Sequence, residues 1–315
     1  MFTNKIRASI LGTIAATGAL VLATEARSTT ATGGGVQAVY GNLPADQVEF
    51  LSTPDRIVSV AGSGAPTLIW QTLEHGEKVE CMECIGAVAP LLYDSNAKNR
   101  EISAWWLRRR AFGVFGPGEV YSQTIDTLGS DPDPTRRGYA ASALGEFLDG
   151  AGIAPLATAG MTDSDPGVRA AAMSALGRLN DDGTNSGTVM SQNALTHGLT
   201  DSVDTVQVAA MEAAGRVSTL NDSTFAPTLA STLGSSDPLV RKHAVQLLDE
   251  MVYTASDAAV LAIAKNDSDP TVRLAACHAI GAFGNPQDMA TLQYIAAHDS
   301  SSLVVDMANI ALQRL

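Results

Sequence analysis

One segment of fifteen residues returns along most of the chain, and its spacing limits the fold more than any other feature of the sequence. The best copies place an arginine four positions after an aspartate, and successive arginine positions lie 32 to 38 residues apart. A period of this length, with two helix-length apolar patterns in each unit, is typical of an α-solenoid. The copies cover residues 97–111, 133–147, 165–179, 203–217, 237–251, 269–283 and 301–315.

The residues that recur within each copy lie on one face of a helix. The third residue after the arginine position is always small, and the seventh is a large aliphatic residue except at Ala214. Because these positions share a face of a 3.6-residue helix, the small side chain lets a partner helix approach and the large one fills the gap. Each copy follows another apolar stretch, such as 150–161 or 224–234. We predict an all-α fold, an α-solenoid (superhelix) of about seven stacked helix pairs over residues 64–315.

These repeats resemble the HEAT-repeat family, in particular the HEAT-like repeats named after phycobilin lyases. The resemblance implies stacked helix pairs in which the recurrent aspartates and arginines form a polar ladder between neighbouring repeats. By resemblance, we assign that structural ladder to Asp133, Arg137, Asp165, Arg169, Asp237, Arg241, Asp269 and Arg273.

The architecture by itself does not decide the function, because it includes scaffolds, adaptors, lyases and an iron hydroxylase. The hydroxylase, deoxyhypusine hydroxylase, uses His-Glu pairs as metal ligands. The present chain has no His-Glu dipeptide, and its five histidines are scattered singly. We also find no residue constellation for bilin attachment. We therefore predict no catalytic residues, no metal site and no cofactor.

The first 63 residues differ from the repeats. Residues 1–26 have the layout of a secretory signal peptide, with a short basic start, an uncharged apolar run and small residues before Ala26 or Ala23. The apolar run is shorter than the roughly 20 residues that span a bilayer. Residues 27–63 are interpreted as a flexible or irregular leader, in which DRIVSV at 55–60 is a short strand or an extended segment. We predict an exported protein, periplasmic or extracellular, without membrane insertion once the signal is removed.

The charge of the chain limits its partners. The formal net charge is −13, and removal of residues 1–26 makes it −14. A surface this acidic repels phosphate backbones and anionic lipid, which argues against nucleic acid as a partner.

Cys81 and Cys84 form a Cys-x-x-Cys pair. The repeat alignment places them at the start of the first helix of a repeat, either just before it or in its first turn. Helix amides there lower a thiol pKa and favour redox chemistry, whereas Glu80 and Glu83 raise that pKa. A zinc site needs two further ligands, and haem attachment needs histidine where Ile85 stands. In an exported chain we interpret the pair as a local disulfide, with a metal site and an exchangeable redox pair as alternatives.

The third cysteine, Cys277, takes a core position at which other copies carry Ala, Met or Val. We predict a buried free thiol that packs as a small apolar side chain. Because Cys277 lies five repeats from Cys84, at roughly 10 Å for each stacked helix layer, the two sulfurs cannot pair.

The copy at 97–111 is atypical. Trp106 takes a core position, whereas Trp105 takes a position at which other copies carry mostly polar residues. Arg108 stands where other copies mainly carry glycine, and Arg109 follows it. Tryptophan beside arginine is the composition of an interface anchor, so we predict an interaction surface at Trp105, Arg108 and Arg109. The alternative is that this copy packs as an N-terminal cap of the solenoid, and both roles can coexist.

The sequence therefore predicts an exported, non-enzymatic scaffold or adaptor whose partner is another protein. The competing hypothesis is a redox or metal-binding accessory protein that uses Cys81 and Cys84 and is linked to an exported electron-transfer system.

Mass spectrometry separates these two functions. On protein secreted by its own host, we expect a chain that begins after Ala26 or Ala23, is two hydrogens lighter than the reduced form, and has one thiol that alkylates after denaturation. Three reactive thiols, or additional mass from a metal, would favour the redox or metal hypothesis.

Overall fold

A computed structural model describes residues 52–112, 118–179, 185–217 and 224–315. Within these ranges the chain forms sixteen α-helices and no strand. Two helices come first, α1 (Pro54–Ala61) and α2 (Pro66–His75). Seven helix pairs follow, whose first helices are α3 (Met82–Val88), α5 (Glu119–Ser130), α7 (Ile153–Thr162), α9 (Asn185–Gly198), α11 (Phe225–Ser231), α13 (Asp257–Asn266) and α15 (Met289–His298). Their second helices are α4 (Ala97–Phe112), α6 (Pro134–Phe147), α8 (Pro166–Leu176), α10 (Asp204–Ala214), α12 (Pro238–Glu250), α14 (Pro270–Phe283) and α16 (Ser302–Leu312).

The pairs stack in chain order, each second helix against the next, and this confirms the predicted all-α solenoid. The core runs along the stack between the two helix layers. The small third residue and the large seventh residue of each copy lie inside it, for example Ala172 and Leu176, which are both fully buried.

Helices begin earlier than the sequence suggested. Residues 55–60, for which a strand or an extended segment was expected, belong to α1. Thr53 caps this helix by accepting a hydrogen bond from the Arg56 amide, and Pro54 suits its first turn. Ile57 and Ala61, four residues apart, are buried on one side of it. The expectation of a strand or extended segment at 55–60 was therefore wrong, because a run this short does not separate helix from strand by its apolar period.

The repeated aspartates end up as helix caps and not as members of the ladder, which corrects the assignment made by resemblance. The carboxylate of each one accepts a hydrogen bond from the backbone amide two residues later, at the first turn of a second helix. The carboxylate oxygen of each of these aspartates thus binds an amide of its own turn and not an arginine of the neighbouring repeat. The four residues concerned are Asp133, Asp165, Asp237 and Asp269.

The ladder itself joins each arginine to an aspartate in the turn of the next repeat. Each guanidinium donates two hydrogen bonds of 2.7–2.9 Å to one carboxylate. Its remaining nitrogen donates to the backbone carbonyl six residues before it, in its own turn. Such two-point pairs fix distance and orientation together. The pairs are Arg137–Asp163, Arg169–Asp201, Arg241–Asp267 and Arg273–Asp299.

Glycine allows the second helices to approach closely. A Cβ atom on Gly177 would lie 2.6 Å from the Cα of Ala213 in the next second helix, and one on Gly281 would lie 2.9 Å from the Cα of Ala311. Because real side chains do not pack at such distances, these positions need glycine.

The ladder predicts how stability depends on pH. Hydrogen bonds from Arg169 lower the pKa of Asp201, whose side chain is only 5% exposed. Because the folded-state pKa is the lower one, this stabilisation is complete above about pH 4 and is lost as the pH falls through the folded-state pKa. We expect Asp201→Asn to lower the free energy of unfolding by about 2 kcal/mol at pH 7, measured by urea denaturation. The difference from the natural chain should shrink towards pH 3.

Glu146→Gln is the matched control. Glu146 pairs with the exposed Arg178, and burial raises the pKa of Glu146. Removing that carboxylate should change the free energy of unfolding little at pH 7. An equal loss in the two variants would contradict the ladder's role.

Candidate functional site

Side chains of the atypical helix α4 are hydrogen-bonded to the turn that follows α2. Trp106 is fully buried, and its Nε1 donates a 2.9 Å hydrogen bond to the carbonyl of Gly76. The buried guanidinium of Arg110 lies 3.4 Å from the centre of the Trp106 ring. It also donates to the carbonyls of Glu77 and Val79. Trp106 and Arg110 thus pack as the cap interpretation predicts.

The three predicted interface residues lie together around one cavity. Trp105 is half-buried, Arg108 is half-buried, and Arg109 is exposed and forms a 3.3 Å ion pair with Glu80. All three line a cavity of about 550 Å³ between α4 and the end of α6. We call this cavity the aromatic-basic cleft; its wall also includes Glu77, Phe147, Leu148 and Asp149.

A change at one repeated position explains why a cleft forms here. Arg108 occupies the position that holds Gly145 in α6 and Gly177 just after α8. Those glycines lie within van der Waals contact distance of the next second helix, which leaves no room for a side chain. An arginine at this position needs space between α4 and α6, and the cleft is that space.

The structure adds Leu148 to the site. This residue follows α6 in the left-handed conformation, with φ 56°, and its side chain is 48% exposed. The corresponding residue after α14 is Gly284, with φ 68°. A left-handed conformation is strained for leucine and free of strain for glycine. Sequence reasoning missed Leu148, although its alignment with a glycine was a readable signal.

The charges around the cleft differ from those of the chain as a whole. Within the described part of the chain, Arg108 donates no hydrogen bond and forms no ion pair within 4 Å, although its charge acts on the carboxylate of Glu146. Arg109 is paired with Glu80. Asp149 is held by its own turn, where it accepts the amide of Ala151, and by the hydroxyl of Tyr121. Burial and the Asp149 carboxylate raise the pKa of Tyr121, which stays a neutral donor. The cleft therefore presents a guanidinium with no hydrogen bond or close ion pair among the described residues, on a chain with a net charge of −13.

The cysteines take the places that the sequence predicted. Cys81 and Cys84 form a disulfide, in which Cys81 is the residue before α3 and Cys84 is buried. Cys277 is a buried free thiol, and burial raises its pKa to about 12. It is therefore protonated and unreactive at neutral pH.

A second concavity, of about 970 Å³, runs along the second helices α10, α12, α14 and α16. We call it the C-terminal groove. His243 faces Glu212 there at 3.9 Å, and His278 is hydrogen-bonded to Asp249 at 2.6 Å. The exposed Leu303 lies on its rim. Sequence reasoning did not single out these residues, because they come from four separate repeats.

Within the described ranges, no group of three His, Cys, Asp or Glu side chains is close enough to hold a metal ion. Over the same ranges, no helix combines the length and the apolar character that crossing a bilayer requires.

The family is decided by a match to the repeats themselves. The family model described as HEAT repeats matches residues 122–215 and 226–313, which together make up more than half of the chain. The chain belongs to the HEAT-repeat family. None of the curated protein sequences matches it significantly.

Solved structures that are similar to this chain include the following three. Importin beta, from crystals in an ammonium sulfate condition, is 12% identical with a TM-score of 0.59, over 88% of this chain and 47% of the importin chain. The archaeal HEAT-like repeats protein from Thermococcus onnurineus NA1 is 16% identical with a TM-score of 0.49, over 73% of this chain and 96% of its own. The CpcE–CpcF complex of phycocyanin lyase from Nostoc sp. PCC7120 is 18% identical with a TM-score of 0.37, over 87% and 98%. At 12% identity, the similarity to importin beta shows the fold alone.

Proposed function

We propose that this HEAT-repeat protein is an exported, non-enzymatic scaffold or adaptor that binds another protein with its second-helix surface. The aromatic-basic cleft is the anchor of that surface. A repeat stack suits this role because it holds an extended surface rigidly without needing a closed pocket. The Cys81–Cys84 disulfide supports the export part of the proposal, since such bonds persist mainly in oxidising compartments.

The position of a strained, exposed leucine, Leu148, in the wall of the aromatic-basic cleft is the single observation that carries the choice of anchor. A leucine in the left-handed conformation costs the fold about 1 kcal/mol, and half of its apolar side chain faces solvent. Neither property helps the chain to fold. Strained residues tend to occur where a site needs a particular side chain, and Leu148 lines the cavity that also holds Trp105 and Arg108.

The composition of the cleft supports the same choice. Tryptophan and arginine are the residues that most often dominate the binding energy of protein interfaces. Trp105 offers a half-buried ring whose remaining surface a partner can cover, and Arg108 offers donors that no group in the described part of the chain uses. An apolar side chain, Leu148, completes the cleft's wall.

Partner capture tests the proposal. The natural chain, produced in its own host and cross-linked before lysis, should retain a defined exported protein. We expect the double variant Trp105→Ala with Arg109→Glu to lose that protein. Gln246→Ala, at the same repeat position as Trp105 but in α12, should keep it. Retention of every captured partner by the double variant would overturn the assignment of the anchor.

Two glycine substitutions separate stability from binding. Leu148 and Val252 are both in the left-handed conformation, and their side chains are 48% and 53% exposed. We expect Leu148→Gly and Val252→Gly each to raise the free energy of unfolding by about 1 kcal/mol in urea denaturation, because strain is relieved. Only Leu148→Gly should weaken binding of the captured partner, by about tenfold if Leu148 is a hot spot.

Val252 is the control because it follows α12 and lies outside the cleft. If both variants bound the partner equally well, Leu148 would have no role in the interface.

A further inference from the structure

Among the described residues, the joint between α10 and α12 lacks the ladder pair and the close helix approach that lock the neighbouring repeats. Its ladder position holds Gln207 where the regular repeats have arginine, and the aspartate that would face it is replaced by Ser235. Gln207 still donates to the carbonyl of Asp201 in its own turn, at 2.6 Å. Its Oε1 is buried and has no hydrogen-bond partner. Ser235 accepts the amide of Asp237 in its own turn and is too short to extend to the next repeat. The ladder is therefore interrupted on both sides at once.

The close approach of second helices is also missing at this joint. A Cβ on Gly215 would meet no atom nearer than 3.5 Å, whereas one on Gly177 would clash with the next helix at 2.6 Å. The residue opposite Gly215 is Leu247, which stands where the other joints have Ala213 or Ala311. The larger side chain keeps α12 away from α10. We call the position defined by Gln207, Gly215, Ser235 and Leu247 the open joint.

Other joints that depart from the pattern have substitute contacts. Between α4 and α6, Arg100 lies 3.8 Å from the centre of the Tyr139 ring, and Arg136 lies 4.3 Å from the centre of the Tyr93 ring. Between α12 and α14, the ladder pair Arg241–Asp267 is reinforced by Asp249, which is hydrogen-bonded to His278. Across the open joint, the ion pair of Glu212 with His243 is long, at 3.9 Å.

We propose that the solenoid bends at the open joint and that this bending opens and narrows the C-terminal groove. In a repeat stack each repeat contacts only its neighbours, so the stack bends where the contact between neighbours is weakest. The groove begins on α10, at Met211 and Glu212, and continues on α12 and α14, at Leu247 and Leu274. One wall therefore lies on each side of the joint. The groove is an adjustable surface, distinct from the aromatic-basic cleft at the other end of the stack.

Distances between spin labels test this proposal without a partner. Ser174, Gln246 and Ile310 are exposed residues at the same repeat position of α8, α12 and α16. Labels on Ser174→Cys and Gln246→Cys span two helix steps that include the open joint. Labels on Gln246→Cys and Ile310→Cys span two steps that are both locked by ladder pairs. Cys277→Ala removes the free thiol, and the Cys81–Cys84 disulfide is kept oxidised.

We expect the distribution of distances between labels at positions 174 and 246, which span the open joint, to be broader than that between labels at positions 246 and 310. Equal widths for the two label pairs would overturn the proposal. These measurements need no substitution in the core apart from Cys277→Ala, and their outcome is independent of whether the cleft binds a partner.

Restoring the missing contacts tests whether their absence causes the bending at the open joint. Gln207→Arg with Ser235→Asp restores the ladder, and Leu247→Ala restores the close approach. We expect the repaired chain to have a distribution across the joint as narrow as that of the locked pair. In the converse variant, Arg273→Gln with Asp299→Ser, the distribution of the locked pair should broaden. If neither change altered the corresponding width, the missing ladder would not be the cause of bending.

Discussion

The stack of repeats depends on the pairing of one arginine with two neighbouring turns. A guanidinium such as that of Arg169 is largely withdrawn from water, so its donors must be met by protein acceptors. One acceptor is the backbone carbonyl of its own turn, and the others are the carboxylate oxygens of Asp201 in the next turn. Because both acceptors are fixed in turns, each pair sets the spacing and the orientation of two repeats. The helices supply the apolar area, and the ladder decides how they stack.

The departures from the ladder are the places where the chain differs from a plain stack. At the N-terminal end, arginine–tyrosine contacts replace the carboxylate pair, and Arg108 replaces the glycine that would close the gap between α4 and α6. The result is a cleft with an aromatic and basic wall. At the joint between α10 and α12, Gln207 and Ser235 replace the arginine and the aspartate of the ladder pair. Regular repeats share the same ladder contacts, and the irregular ones form the aromatic-basic cleft and the open joint.

Much of the fold was predictable because its signals are local or periodic. The repeat period and the small and large residues of the second helices predicted the solenoid, and Trp105 with Arg108 lies in the cleft. The strand or extended segment expected at 55–60 was wrong, because that run is too short for its apolar period to separate helix from strand. The alignment of Leu148 with Gly284 could have indicated its left-handed conformation, but its place beside Trp105 and Arg108 depends on how α4 and α6 pack.

The sequence by itself determined that the chain folds as an α-solenoid of seven helix pairs, since a repeated helical pattern has no other way to bury its apolar faces. Only the tertiary structure decided which carboxylates form the ladder. Asp163 and Asp165 are the same residue type two positions apart, and both precede α8. Asp165 is used as the helix cap, whereas Asp163 faces Arg137 of the preceding repeat. That choice depends on how the turns meet in space, as do the cleft around Leu148 and the open joint.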